Sequence, residues 1–319
     1  MNKEVEVVMS ICDGMSGTQV ALNNMGIKPK RYLASEVDPY AISVTQHNFP
    51  DTEQLGDMKA WRTWDIDWAT VDLLVAGFPC QAWSIAGYQA GVDDPRGALV
   101  FDLVDIFEHA KQANPDIKFL FENVKMKREN MIFLSTLFGQ SPIEINSALV
   151  SAQNRVRYYW TNLEVTQPKD RGILLSSILD DKEAWFVDRD KSYCLDANYW
   201  KGGNLKSYFE KCRRQLVFSK DGLAHVGEAD LNGHDSIKRV YAVDGKAPTL
   251  TTMSGGHREP KIALNEQRYR KLTPSECARL QTIDPSYLDV PKLSNTQKYK
   301  MLGNGFNVAT IEHIFSALK

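Results

Sequence analysis

The stretch VDLLVAGFPCQAWS, residues 71–84, decides how the rest of the chain is read. An apolar run rich in Val and Leu breaks at Gly77, and Cys80 follows directly after Pro79. Such a run is a buried strand, and the space beyond its carboxyl end is where open α/β sheets place their ligands. Alone, the cysteine reads as a small packed residue, because free Cys behaves as a buried hydrophobe. A catalytic role for it needs partners from elsewhere in the chain.

Working outward, strand and helix signals alternate through the first half. Strands are predicted over 5–9, 31–34, 71–75, 117–121, 143–150 and 157–160. Helices are predicted over 16–25, 39–48, 97–113 and 129–138, with a Trp-rich segment at 61–68. That order implies an α/β fold with a mostly parallel sheet and helices on both faces. From about residue 164 the rhythm fails, and short strand-like pieces mix with Gly, Asp and Asn, as in YWKGGN (199–204) and LNGHDS (231–236). The chain therefore divides into a core over 1–163, a smaller, irregular, β-leaning domain over 164–260, and a segment over 261–319 that returns to the core with helices over 274–281 and 309–318.

Bulk properties exclude several classes. With 319 residues, 43% hydrophobic and 24% charged, the chain has the make-up of a globular protein with a substantial core. MNKEVEVVMS enters an alternating strand at once, and no apolar run approaches the ~20 residues that span a bilayer, so a cytoplasmic protein with no membrane partner is expected. The five cysteines (Cys12, Cys80, Cys194, Cys212, Cys277) are scattered, with no CxxC pair and no His at zinc spacing, which argues against a disulfide framework or a metal site. A net charge of −2 does not announce a nucleic-acid binder. Such a protein would have to gather its Lys and Arg on one face.

After the first strand, Ser10-Ile11-Cys12-Asp13-Gly14-Met15-Ser16-Gly17 has glycines that let backbone approach a ligand at a helix N-terminus. It is not GxGxxG, which counts against a nicotinamide oxidoreductase. Glu36 ends the second strand, where an acid in this fold can hold both hydroxyls of a ribose. Asp57 follows Gly56 near the expected end of a third. Singly these acids read as a cap and two solvated carboxylates. Their order at successive strand ends points to a nucleoside-containing cofactor.

Seven blocks in order now carry a family resemblance: GFPCQAWSIAG (77–87), DPRGALVFDLV (94–104), FENV (121–124), SAQNRVRYYW (151–160), APTLTTMSGGH (247–257), RKLTPSECARLQTI (270–283) and MLGNGFNV (301–308). Together they resemble the motif set of the DNA cytosine-5 methyltransferases. SICDGMSGTQVAL and VSAQNRVRYYWTNL are also similar to the catalytic domain of the animal de novo enzymes, while the tail of the middle domain resembles bacterial and phage enzymes. The resemblance implies a Rossmann-like, S-adenosylmethionine-dependent catalytic and cofactor-binding core, with 164–260 as a target-recognition domain. It implies double-stranded DNA as partner and S-adenosylhomocysteine as product. The setting implied is a bacterial cell or phage-infected host, with a monomeric enzyme that can be paired with a cognate restriction endonuclease.

The chemistry explains the residue types. Carbon 5 of cytosine is a poor nucleophile until a thiolate adds to carbon 6, and Cys80 is the residue the resemblance assigns to that attack. A free thiol has a pKa of about 8.5, so a positive neighbour or helix N-terminus must favour the thiolate. Glu122, in FENV, is implied to neutralise ring nitrogen 3 as a protonated acid, in an apolar surrounding supplied by Phe119, Leu120 and Phe121. Asn123 is expected to brace the Pro79-Cys80 loop. Arg155 and Arg157 alternate along a strand and share a side. Arg157 is assigned to the cytosine 2-keto oxygen, and Arg155 to the nucleophile loop or a phosphate.

Because the reactive atom is inaccessible in a stacked duplex, the nucleotide must be flipped out. Gln81 is expected to reach into the vacated space, with Ser84 and Arg96 also facing DNA. For the cofactor, Cys12, Asp13, Gly14, Ser16 and Gly17 form the loop, Glu36 holds the ribose, and Asp57 accepts from the adenine amino group. Pro79, Leu99 and Asn304 complete the pocket. Cys12 stands where the family usually has Phe, so a ring against the adenine is missing, and Val37 is the substitute considered. In the middle domain, Lys206, Lys211, Arg213 and Arg214 are offered to phosphates or guanine edges. Two alternatives stay open: a tRNA cytosine-5 methyltransferase of the same fold, whose Cys-Phe-Thr signature is not found, and an inactive DNA-binding or regulatory relative, which would have lost Cys80 or Glu122.

Overall fold

A computed structural model describes residues 5–79, 98–219, 225–228, 239–242, 261–263 and 269–318. Seven strands form the main sheet: β1 (Val7–Ile11), β2 (Arg31–Ser35), β3 (Glu53–Gln54), β4 (Leu73–Ala76), β5 (Lys118–Val124), β6 (Ile143–Asn146) and β7 (Val156–Thr161). Their spatial order is β3-β2-β1-β4-β5-β7-β6. The first five run parallel, while β7 is antiparallel to both β5 and β6.

Residue alternation along the central strands builds two hydrophobic layers. Val7, Met9, Ile11, Leu74, Ala76, Phe119 and Phe121 belong to one, Val8, Leu73, Val75 and Leu120 to the other. The first layer packs on α3 (Leu99–Ala113) and α4 (Arg128–Phe138). Its rings are closely spaced, with Phe107 4.6 Å from Phe119 and Phe121 4.9 Å from Phe138. Trp61 and Trp68 close its edge against His109 of α3. The second layer meets α1 (Gly17–Asn24), α2 (Pro39–Asn48), α6 (Pro274–Leu280), α7 (Asn295–Asn304) and α8 (Val308–Phe315).

Caps set the boundaries. Asp38 accepts from Tyr40 N with Pro39 at the first helical position of α2, and Gly139 ends α4 in the left-handed region at φ +66°. Thr273 with Glu276, and Ser294 with Gln297, close reciprocal capping boxes on α6 and α7.

The structure departs from the predicted elements in four places. β5 runs on to Val124, so Glu122 and Asn123 lie within a strand and not at its end. β6 stops at Asn146, whose side chain accepts from Ala148 N and Arg155 N and turns the chain into a short 3-10 helix at Ser147–Leu149. Helix α7 was not anticipated. Nor were the bounds of α5 (Leu205–Lys211) and β9 (Leu216–Ser219), which divide the basic stretch between them.

Two three-stranded sheets lie beyond the main one. β9 is flanked by β8 (Trp185–Phe186) and β13 (Tyr269–Lys271), both antiparallel to it. The other joins β10 (His225–Glu228), β11 (Arg239–Ala242) and β12 (Lys261–Ala263). Leu175, Ile178, Leu195, Tyr199 and Val217 share one hydrophobic cluster with Leu280, Leu302 and Ile311, and β13 completes a sheet begun by β8.

The closest of these contacts is backbone to backbone. A methyl group on Gly303 of α7 would stand 2.4 Å from the carbonyl carbon and oxygen of Asp196. Gly303→Ala must therefore push the 196–197 segment off α7, at a cost of about 1–3 kcal/mol or more. Urea unfolding should show that loss, and wild-type stability would contradict so close an approach.

Candidate active site

A cavity of about 390 Å³ opens over the carboxyl ends of β1, β2, β4 and β5, in the size range of small-molecule and cofactor sites. Of the residues expected to hold a cofactor, Cys12, Asp13, Gly14, Gly17 and Glu36 line it, as do Val37, Asp57, Pro79, Leu99 and Asn304. Glu122, Arg155 and Arg157 line it too. Cys80, Gln81, Ser84 and Arg96 lie outside the described residues.

One end of the cavity is organised by Glu36. Its Oε2 accepts from Gly14 N at 2.7 Å, and its Oε1 from Val37 N and Asp38 N at 2.7 and 2.8 Å. Three backbone donors thus fix the carboxylate at the mouth while leaving lone pairs for further donors. Gly14 sits at φ +60° with nothing within 4 Å of where a side chain would begin, so its backbone faces open space. Asp57 caps the 3-10 helix Met58–Thr63 by accepting from Lys59 N at 3.0 Å and still borders the cavity. Val37, largely exposed, forms part of the rim. This donor set, with paired acids at successive strand ends and an open glycine loop, fits a nucleoside-bearing cofactor.

Two loop residues differ from expectation. Ser16 is fully buried beneath the loop, where its hydroxyl donates to Asp13 Oδ2 and accepts from Thr45 Oγ1 at 3.1 Å, and it does not line the cavity. Its left-handed backbone, φ 56°, turns the chain into α1. Asp13 serves mainly as the brace for that turn. Tyr32 OH also donates to it at 2.7 Å, and burial pushes its carboxyl up to about 6 against these hydrogen bonds. Cys12 takes the left-handed region at φ 53°, and its thiol lies 3.7 Å from Met58 Sδ. Burial, with the charges of Glu36, Asp57 and Asp13, pushes that thiol up to about 12, so it stays a neutral wall of the pocket.

The opposite end gathers Glu122, Asn123, Arg155 and Arg157. Asn123 Nδ2 donates to Phe78 O at 3.2 Å, two residues before Cys80. Glu122 is buried, and its carboxylate is ion-paired with Arg157 Nε at 2.9 Å. The reason is register: Val124 pairs with Arg157 across the antiparallel strands, which sets Arg157 diagonally beside Glu122 on the same face.

Arg155 is almost wholly buried, and its guanidinium donates to the carbonyls of Leu195, Gly303 and Gly305 at 3.3, 3.3 and 2.8 Å. Both arginines also reach Cys194 Sγ, at 3.5 and 3.7 Å. Burial alone would raise the Cys194 thiol, but Arg157 and Arg155 outweigh it and bring the thiol below its ordinary value. Sequence reading gave no role to Cys194, and passed over Met58, Lys300 and Phe306, all of which line the cavity. Phe306 lay inside a quoted motif and was a findable aromatic.

Lys206 and Lys211 are exposed on α5, but Arg213 donates to Asp196 Oδ2 at 2.9 Å and Arg214 to Gly202 O at 2.9 Å, so both bind within the chain.

With this geometry in place, comparison with known proteins settles the family. The profile of the C-5 cytosine-specific DNA methylases matches residues 7–131 and 149–319. The chain belongs to that family. Among relatives, it is 30% identical over 331 residues to the type II methyltransferase M1.ScrFI of Lactococcus lactis subsp. cremoris, covering 94% of this chain and 75% of that one. It is 26% identical over 446 residues to the orphan methyltransferase M.SPBetaI of Bacillus phage SPbeta, covering 98% and 97%. Two solved structures share the fold: Entamoeba histolytica EhMeth (TM-score 0.65, 13% identity, 99% and 98% covered) and a Spodoptera frugiperda DNMT2 mutant (0.57, 20%, 98% and 99%). The expected α/β fold with a mostly parallel sheet holds, and a smaller antiparallel sheet accompanies it. No helix among the described residues is long and apolar enough to cross a membrane.

Asp13 gives this family member a pH signature. Because its folded pKa is raised, the group's contribution to stability is fully present below about pH 4, the ordinary Asp range, and is lost as pH rises through about 6. Urea unfolding at pH 5 and 7.5 should therefore show Asp13→Asn gaining on wild type as pH rises. A pH-independent difference would contradict the buried-acid assignment.

Proposed function

We propose that this chain transfers a methyl group from S-adenosylmethionine to carbon 5 of a flipped-out cytosine in double-stranded DNA. The observation that carries the reading is one cavity with two chemically distinct ends. Glu36 and the Gly14 loop stand at one, and the Glu122–Arg157 pair stands at the other beside Pro79, the residue before Cys80. Such a site can hold a nucleoside-bearing donor and a reacting base in a common volume.

When bound, S-adenosylmethionine supplies an electrophilic methyl on a sulfonium. Glu36 would take the ribose hydroxyls, Asp57 the adenine amino group, and Leu99 and Asn304 the flanking walls. The Cys80 thiolate adds to carbon 6 of cytosine, so that carbon 5 becomes the nucleophile. Loss of the carbon 5 proton after methylation returns the thiolate and restores the ring. Arg157, by donating to the 2-keto oxygen, would move part of its guanidinium from Glu122 to the base and leave Glu122 facing ring nitrogen 3. Asn123 holds the Phe78 carbonyl and with it the approach to the nucleophile loop. Arg155 acts as a positioning residue through the segments it ties.

Residues 164–260 are assigned to sequence recognition, with Lys206 and Lys211 exposed on α5 for phosphate contacts. Gln81, Ser84 and Arg96 complete the DNA-facing set by sequence.

The test is covalent trapping. DNA containing 5-fluorocytosine cannot lose its carbon 5 substituent, so with S-adenosylmethionine it should leave a stable protein–DNA adduct that Cys80→Ser abolishes. An adduct surviving that substitution would sink the assignment. Glu122→Gln should lower turnover by about 10²–10⁴-fold, the range for loss of a positioned acid, with S-adenosylmethionine binding little changed.

A further inference from the structure

Phe306 lies between α7 and α8 and lines the cavity, although no role has been given to it. Its position is fixed by two glycines. A methyl group on Gly17 would meet Phe306 Cβ at 3.5 Å, and one on Gly77 would meet the ring tip, Cε1 and Cζ, at 3.0 Å. The second distance is tighter than ordinary packing, so the ring tip can occupy this place only because the residue that follows β4, Gly77, has no side chain. The side chain thus bridges the start of α1 and the end of β4.

That is the end of the cavity where the reaction takes place. Carbon 5 receives the methyl while Cys80 is joined to the adjacent carbon 6, so the donor's sulfonium must lie toward Pro79. Glu36, Val37 and Asp57 mark the other end. A cation near an aromatic face is attracted by the ring's quadrupole, more strongly when both are shielded from water, and Phe306 is partly buried against the core. The product, S-adenosylhomocysteine, is a neutral thioether and gains no such attraction.

We propose that Phe306, seated between Gly17 and Gly77, is the aromatic group that recognises the donor's sulfonium and so favours S-adenosylmethionine over its product. This rests on the proposed methyl-donor site. It also gives a consequence to the Cys12 departure: Phe306 of the C-terminal segment, with Phe78, supplies aromatic surface to this pocket, and both lie toward the reactive end, not the adenine. Selective loss of attraction after transfer would assist exchange of product for fresh donor.

Calorimetric titration of the full chain with each nucleoside, without DNA, tests the idea apart from turnover. Phe306→Leu keeps an apolar side chain but removes the π face. It should weaken S-adenosylmethionine about five- to tenfold and S-adenosylhomocysteine less than about twofold. Phe306→Met should behave like Leu, and Phe306→Tyr should keep the wild-type ratio. Equal weakening of both ligands, or no weakening of either, would overturn the proposal and leave the ring a space-filler. Wild-type protein that binds neither ligand would overturn the methyl-donor reading itself, a result distinct from equal weakening.

Discussion

The guanidinium of Arg155 joins parts of the chain that lie far apart in sequence. It is buried, and the carbonyls of Leu195, Gly303 and Gly305 accept its protons. Hydrogen bonds from a charged donor contribute roughly 1.5–3 kcal/mol each. A buried guanidinium costs several kcal/mol in lost hydration, so it is tolerated only while most of its acceptors stay in place. The entrance to β7, the segment after Cys194 and the turn after α7 are therefore held as a unit. Displacing one of them leaves a buried charge short of partners.

That constraint shapes the site. The α7–α8 turn brings Asn304 and Phe306 over the cavity, and the β5–β7 register brings Arg157 beside Glu122. Cys194, touched by both arginines, makes the segment leading toward α5 a neighbour of the acid. In the proposed function, the part of the chain that reads DNA and the part that does chemistry thus meet through two side chains at the start of β7. Gly303 supports the arrangement by letting α7 approach the 196–197 backbone, which keeps the acceptors of Arg155 close together.

Much of the architecture was legible because the parallel strands carry unbroken apolar runs and the helices between them carry caps. Leu73–Ala76 and Pro39–Asn48 are examples. Helix α7 was missed because it is largely polar, yet Ser294 and Gln297 form a capping box that sequence spacing alone displays. That Glu36 and Asp57 border one cavity was legible from their order at strand ends, since that order survives whatever the side chains then bind. The surroundings of Glu122 were not. Phe119 and Phe121 point to the opposite layer or along the strand, and Arg157 arrives only because β7 runs antiparallel to β5, a pairing that local sequence does not encode. The partners of Arg213 and Arg214 were hidden for a similar reason: a basic cluster in sequence does not reveal that Asp196 and the Gly202 carbonyl lie beside it. The roles of Ser16 and Asp13 were exchanged in part for structural ones, because a left-handed turn beneath the loop needs its own hydrogen bonds.

The central claim is that this cavity methylates cytosine in DNA, and the most direct measurement is on the nucleic acid itself. Plasmid DNA recovered from cells producing the chain should, by bisulfite sequencing, contain 5-methylcytosine in a defined sequence context that is absent when Cys80 is replaced. Unmodified plasmid accompanied by new 5-methylcytosine in RNA would contradict the account and favour the RNA-directed alternative.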